Sequence, residues 1–142
     1  KQKEKTILNH KAELLHKVSL SDTTWNKVHD GMYQVVYGPE SSVGSLFEEL
    51  EKIKVAGKTG TAQNPLGDDH STFISFAPRN NPKIAIAVYV EHGVWGATAA
   101  VPIASLIEEM YLTDTITRPW LIEHVKNLNL DYSIYDRHRK KK

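Results

Sequence analysis

The chain contains no cysteine. Disulfides and thiolate metal sites are therefore excluded, and the sequence carries no mark of redox compartment. It also lacks a surplus of either charge. Its 18 Lys and Arg stand against 17 Asp and Glu, so no global field points toward nucleic acid or an acidic polymer. No apolar run approaches the roughly 18 residues of a membrane span. The basic start, Lys1-Gln2-Lys3-Glu4-Lys5, has no signal-type apolar core behind it. Such an opening fits an internal segment of a longer protein equally well, so the missing signal does not imply a cytoplasmic protein. There is no internal repeat. What is present is 142 residues, 40% of them hydrophobic, enough for one modest domain with one main core.

Residues 1–20 mix short apolar pairs with charges and read as a partly ordered lead-in, with His10 and His16 solvated. Ser21-Asp22-Thr23-Thr24 is an N-cap cluster. Trp25, Val28, Met32 and Val35/Val36 then recur at helical spacing, which predicts a helix ending at Tyr37, before Gly38-Pro39, with its apolar face in the core. A second, shorter helix is expected from Ser41, with Val43, Leu46, Phe47 and Leu50 buried. Three strands follow, 53–63, 71–77 and 83–91, joined by the turn-rich loop 64–69 and by Pro78-Arg79-Asn80-Asn81-Pro82. Short links favour an antiparallel meander. The third strand has Ile84, Ile86, Val88 and Val90 on one face and Ala85, Ala87 and Tyr89 on the other. Both faces are apolar, which predicts cover on both sides. The helix expected over 97–112, with Pro102 in its opening turns, is expected to pack on the alanine face. A last helix runs from Thr117-Arg118-Pro119 to about Leu128, anchored by Trp120. Trp25 and Tyr89 are expected in the core. Residues 129–142 form a basic tail, read as a solvated end, with contact to an anionic surface as the alternative.

The centre of this arrangement is Lys54-Val55-Ala56-Gly57-Lys58-Thr59-Gly60-Thr61-Ala62-Gln63. A strand runs here into one fixed cation, two hydroxyls and a glycine, a set suited to a small anionic ligand. Three readings compete. A phosphate loop needs glycine at position 52, which is Lys52, and a helix after the motif rather than a strand. An ordinary strand with a polar face is what a lone Lys-Thr-Gly would mean. The third reading is the K-T-G strand that accompanies S-x-x-K in serine acyl-transferases.

The surrounding runs favour the third. The motif strand, the strand Asp69-His70-Ser71-Thr72-Phe73-Ile74-Ser75-Phe76-Ala77-Pro78, the strand Ile84–Gly93 and the helix start Gly96–Ala104 together resemble class B penicillin-binding proteins, most closely the penicillin-binding protein 2 group. Upstream, Asp30-Gly31-Met32-Tyr33-Gln34-Val35-Val36 is similar to the helix before the motif strand. The resemblance spans about residues 18–112. It implies an α/β (α+β) fold of the penicillin-binding transpeptidase and serine β-lactamase type: an antiparallel sheet with the long terminal helix across it and upstream helices on the other side. Residues 21–128 would be the C-terminal part of the transpeptidase domain. The resemblance further implies that Thr59 and Thr61 hold a substrate carboxylate. It gives Lys58 the role of supplying positive potential, lets the substrate backbone lie against Gly60, and makes the Thr61 N–H an oxyanion-hole donor. Gln63 and His70 are possible groove-lining residues. No cofactor and no nucleic acid are implied. The partners would be peptidoglycan stem peptides ending in D-Ala-D-Ala, β-lactams and the cell-elongation machinery. The membrane anchor would lie outside this chain, with the catalytic domain on the extracytoplasmic side.

One departure is as informative as the match. No serine is followed by lysine three residues later: Ser19, Ser71 and Ser105 head runs ending in Asp22, Ile74 and Glu108, and neither Ser21-Asp22-Thr23 nor Ser42-Val43-Gly44 is S-x-N. The expectation is a transpeptidase segment that carries the substrate-binding strand without its nucleophile, and so inactive alone. A non-catalytic β-lactam-sensing or scaffolding module is the alternative, and a hydrolytic β-lactamase or carboxypeptidase a third. Asp68, Asp69 and His70 read as loop polarity rather than a metal site, because adjacent residues face different ways. His92 and Trp95 read as packing or loop residues, with groove-lining as the alternative.

Overall fold

The structure, a computed structural model, describes residues 13–65, 67–128 and 130. The proposed tail at 129–142 therefore falls outside it apart from Leu130, as does His10. Residues 13–20 are exposed and carry no regular element.

Helix α1 spans Asp22–Tyr37, and the Ser21 hydroxyl accepts the Thr24 N–H at its start. The strands are β1 (Ala56–Ala62), β2 (His70–Ala77) and β3 (Ile84–Val90), in the order β1-β2-β3 and antiparallel throughout. Helix α2 spans Ala100–Thr113, with Asp114 in the left-handed region (φ 56°) at its end. Helix α3 spans Pro119–Lys126. The meander is the one that the short links predict.

Burial alternates along β2: Ser71, Phe73, Ser75 and Ala77 are buried, and the residues between them are not. The buried face looks at α2. Phe73 and Ala77 join Ala100, Val101 and Ala104 in one core cluster with Val36, Val43, Phe47, Leu50 and Val55. Ser71 ties the two layers together. Its hydroxyl accepts the Ala100 N–H at 3.0 Å and donates to the Gly96 carbonyl at 3.2 Å. It thereby satisfies one of the N–H groups that the start of a helix leaves without a partner. Pro102, third in α2, falls where its missing N–H costs least.

Several expectations are corrected. Segment 41–52 is two 3₁₀ turns, Gly44–Leu46 and Glu48–Leu50, rather than an α-helix. Ser41 turns its hydroxyl back onto the Val35 and Val36 carbonyls, and the short segment with Gly44 inside it closes tighter turns. The buried stripe survives, because residues spaced by three stay on one side of a 3₁₀ turn. Helix α2 packs on the Ile84, Ile86, Val88 and Val90 face of β3, not on the alanine face. The larger side chains offer more apolar area, and Ala100 and Ala104 on the helix provide the close approach. The alanine face is bare, so β3 is covered on one side only: Ala85 and Ala87 are exposed and Tyr89 is 56% exposed. Tyr89 is thus not core. Trp25 (39%) and Val28 (47%) are exposed as well, because only the C-terminal end of α1 reaches the core, through Val36. Trp120 is 52% exposed; Leu121 is the buried anchor of α3. Finally, the layers are less cleanly divided than expected. His29 of α1 packs its ring, tilted, against Phe76, on the face of β2 opposite Phe73, while the 3₁₀ turns lie on the side of α2.

Candidate functional site

Strand β1 is at the edge of the sheet, paired with β2 alone. Its register puts Lys58 opposite Ile74, Thr59 opposite Phe73, Gly60 opposite Thr72 and Thr61 opposite Ser71. Because side chains alternate, Thr59 and Thr61 lie on the face that carries α2, and Lys58 and Gly60 on the opposite face, which α1 covers only at the Ala56 and Phe76 end. The two hydroxyl residues are thus next to each other along one face of an edge strand. Thr59 is half-buried and Thr61 is exposed. Lys58 is exposed, and its Nζ donates to the Thr59 carbonyl at 2.6 Å. Among the described residues no acid forms an ion pair with it, so its charge is available to an anion.

The glycines of the motif have steric reasons. A Cβ on Gly57 would fall 2.3 Å from Phe73 Cζ, and one on Gly60 would fall 2.4 Å from Thr72 Oγ1. Gly96, before α2, presses on the same strand: its Cβ would meet the Gly60 carbonyl oxygen at 2.9 Å and Thr59 Cβ at 3.0 Å. The start of α2 is therefore seated directly against the Thr59-Gly60 step.

Beyond β1 the chain opens into a polar cleft of about 510 Å³ lined by Gln63, Asn64, Pro65 and Asp69. Gln63 is exposed at the rim of this cleft. The Asp69 carboxylate accepts the Asn64 N–H at 2.9 Å, and Asp68 offers its carbonyl to Asn64 Nδ2 at 3.2 Å. Among the described residues no three metal-ligating side chains converge. His70, half-buried, places its ring between those of Tyr89 and His92.

A buried polar network underneath α2 has no counterpart in the sequence reading. Arg118, 1% exposed, pairs with Glu109 through its Nη2 (2.9 Å) and Nε (3.0 Å) and also donates to the Leu46 and Ser105 carbonyls. Thr117 gives Glu109 its N–H and its hydroxyl. Burial raises the Glu109 pKa, but the Thr117 and Arg118 bonds outweigh it and the net shift is downward. Glu108 differs. It is fully buried, and among the described residues neither of its oxygens has a hydrogen-bond partner. Burial pushes its pKa up to about 7, partly opposed by the Ser75 hydroxyl and the Arg118 charge. Ser75 Oγ also lacks a proper hydrogen bond, so the two are polar neighbours whose contact is weak. Tyr37, raised to about 12 by burial, donates to the Leu50 carbonyl. The available signal was the pair Glu108-Glu109 on an otherwise apolar helix, followed nine residues later by an arginine before proline.

The site is thus a K-T-G edge strand on an antiparallel sheet, backed by helix α2. The sequence pattern of the penicillin binding protein transpeptidase domain matches residues 1–109. The chain belongs to that family. Penicillin-binding protein 2B of Streptococcus pneumoniae is 34% identical over 83 residues, covering 55% of this chain and 12% of that protein. The peptidoglycan D,D-transpeptidase MrdA of Haemophilus influenzae is 31% identical over 107 residues, 65% of this chain and 16% of that one. Among solved structures, Pseudomonas aeruginosa PBP2 in complex with WCK 5153 superposes with a TM-score of 0.62 at 39% identity, over 68% of this chain and 21% of that chain. PBP2 of Helicobacter pylori, solved with MreC, gives 0.53 at 29%, over 65% and 18%. The fold is that of penicillin-binding transpeptidase domains, and the resemblance to the penicillin-binding protein 2 group holds. The chain spans between 12% and 21% of the length of these relatives.

Proposed function

We propose that this chain is the substrate-binding wall of a serine D,D-transpeptidase. The observation that carries the reading is the placement of Thr59 and Thr61 side by side on an edge strand, with the Lys58 cation, which pairs with no acid among the described residues, immediately before them in sequence. A D-Ala-D-Ala terminus or a β-lactam presents a carboxylate beside the carbonyl under attack. The Thr59 and Thr61 hydroxyls bind that carboxylate, and Lys58 supplies positive potential. An extended stem peptide adds to the strand edge through main-chain bonds, and Gly60 leaves room for its backbone. The Thr61 N–H donates to the oxyanion; losing such a donor typically costs about 3–4 kcal/mol in the barrier.

The nucleophile is supplied from outside residues 1–142, since these contain no S-x-x-K. In the complete protein that serine is acylated by a stem peptide with loss of D-Ala. The acyl group then passes to an amine of a neighbouring strand, which cross-links peptidoglycan. The acting domain lies on the extracytoplasmic side of the membrane, held by an anchor elsewhere in the protein. Its partners belong to the cell-elongation machinery, a reading supported by the relative solved with MreC. A second reading is a β-lactam-sensing or scaffolding module without turnover, which a complete protein lacking the nucleophile motifs would favour. Intact-mass spectrometry with benzylpenicillin separates the two: the transpeptidase reading predicts a stoichiometric adduct on the complete protein, and the sensing reading without a nucleophile predicts none.

A further inference from the structure

At the end of the sheet where β1 finishes, His70 stands opposite Ala62, one residue beyond Thr61. Its ring is 5.3 Å from that of Tyr89 and 5.1 Å, edge-on, from that of His92. Its Nδ1 lies 3.1 Å from the His92 backbone N–H, which donates to it. An accepting Nδ1 carries a lone pair, so the ring proton of the neutral imidazole sits on Nε2. His92 is 4% exposed and takes φ 56°; Val94 takes φ 64°. Two non-glycine residues in the left-handed region persist only where their surroundings hold them.

The surrounding contacts do hold them. The His92 ring faces the Asp68 carbonyl at 3.2 Å, the Val94 N–H donates to the Asp69 carbonyl at 2.9 Å, and the Ser71 hydroxyl donates to the Gly96 carbonyl. Together with the His70 bond, these lay residues 92–96 along the start of β2. At its far end this loop bears on the substrate strand, since Gly96 has no room for a Cβ between the Gly60 carbonyl and Thr59.

We propose that His70 is a positioning residue for the K-T-G strand. Its Nδ1 fixes the His92–Gly96 loop, and through Gly96 the loop fixes Thr59 and Gly60 against the start of α2. The role belongs to the inward-facing Nδ1, not to Nε2. This inference rests on the acyl-transfer reading for its effect on rate, although the loop geometry does not depend on it.

The test compares His70→Asn, whose Oδ1 can stand near the position of Nδ1, with His70→Gln, whose oxygen reaches toward Nε2, and with His70→Leu. It uses the complete protein that carries this chain. Two quantities are read: the second-order rate of acylation by a fluorescent penicillin, and deuterium uptake by peptides covering 92–96. His70→Asn is expected to keep near-wild-type acylation and protection. His70→Gln and His70→Leu are expected to acylate on the order of ten- to a hundred-fold more slowly, the scale of a displacement of about 1 Å at a reacting site. Both should exchange faster at 92–96. A His70→Gln protein that matches wild type while His70→Asn fails would assign the role to Nε2 and overturn the proposal. Unchanged rate and exchange in all three would overturn it too. If the wild type itself is not acylated, the acyl-transfer reading fails, and the exchange pattern alone decides whether Nδ1 holds the loop. The polar pair Asn and Gln keeps the comparison informative if the leucine variant does not fold.

Discussion

Lys58 and Thr59 are neighbours in sequence but face opposite sides of the sheet, and that alternation divides their work. In the proposed groove the exposed lysine would contribute potential and the threonines directional bonds. Lys58→Ala in the complete protein is expected to slow acylation by a labelled penicillin on the order of ten-fold or more, the range of electrostatic steering into a charged cleft. Its unfolding midpoint should barely move, because the side chain is exposed. Unchanged acylation would remove the role given to Lys58. Glu108 makes a different residue-scale prediction. Its pKa is about 7 in the fold against an ordinary value near 4.5. Between those values the unfolded chain has already lost the proton and the folded chain keeps it. Stability therefore falls as pH rises from about 4.5 to 7 and levels off above, by at most about 3 kcal/mol. Urea unfolding at pH 5 and pH 8 should show this loss in the wild type and a flatter profile in Glu108→Gln. An equal slope in both proteins would contradict the assignment. Glu109 acts in the opposite sense: its lowered pKa stabilises above about 4.5, and that contribution is lost as pH falls through the folded value.

At the scale of elements, the joint between α2, α3 and the 3₁₀ turns depends on one buried ion pair. Glu109→Ala leaves Arg118 charged, 1% exposed and without its carboxylate. Removing one partner of a buried pair typically costs about 3–5 kcal/mol, and the loss should appear as a lowered urea midpoint. A change under about 1 kcal/mol would mean that the Leu46 and Ser105 carbonyls suffice for Arg118. The element scale also shows what the sequence made legible. Ser21-Asp22-Thr23-Thr24 and Gly38-Pro39 bounded α1, and the alternation in 83–91 marked β3, because caps and period-two patterns act locally. Which face of β3 takes α2 was not local. It depended on the residues of the helix itself, where Ala100 and Ala104 made the close approach that the strand alanines were expected to make. The arginine network stayed hidden for the same reason: Arg118 meets the Leu46 carbonyl across 72 residues of sequence, and no spacing rule connects them. The family was legible because Lys-Thr-Gly-Thr came with four matching runs, at 30–36, 69–78, 84–93 and 96–104. His92 read as a packing or loop residue, since its backbone N–H, not its side chain, makes the bond to His70.

For the whole molecule, the bare face of the sheet is the dominant feature. Ile74 (53% exposed) and Tyr89 (56%) stand there beside the exposed Ala85 and Ala87, with Trp25 and Val28 of α1 exposed as well. Contiguous apolar surface of this kind tends to find a cover, and β1 also offers an unpaired edge. The isolated chain is expected to self-associate in sedimentation velocity experiments, and Ile74→Lys with Tyr89→Lys to shift it toward monomer. A wild-type chain that stays monomeric at high concentration would contradict this. The larger claim is that Lys58-Thr59-Gly60-Thr61 is one wall of an acyl-transfer groove whose serine lies elsewhere. Peptide mapping of the complete protein after reaction with benzylpenicillin tests it most directly. The account predicts a single penicilloyl adduct on a serine outside residues 1–142; an adduct on any serine within them, or none at all, would contradict it.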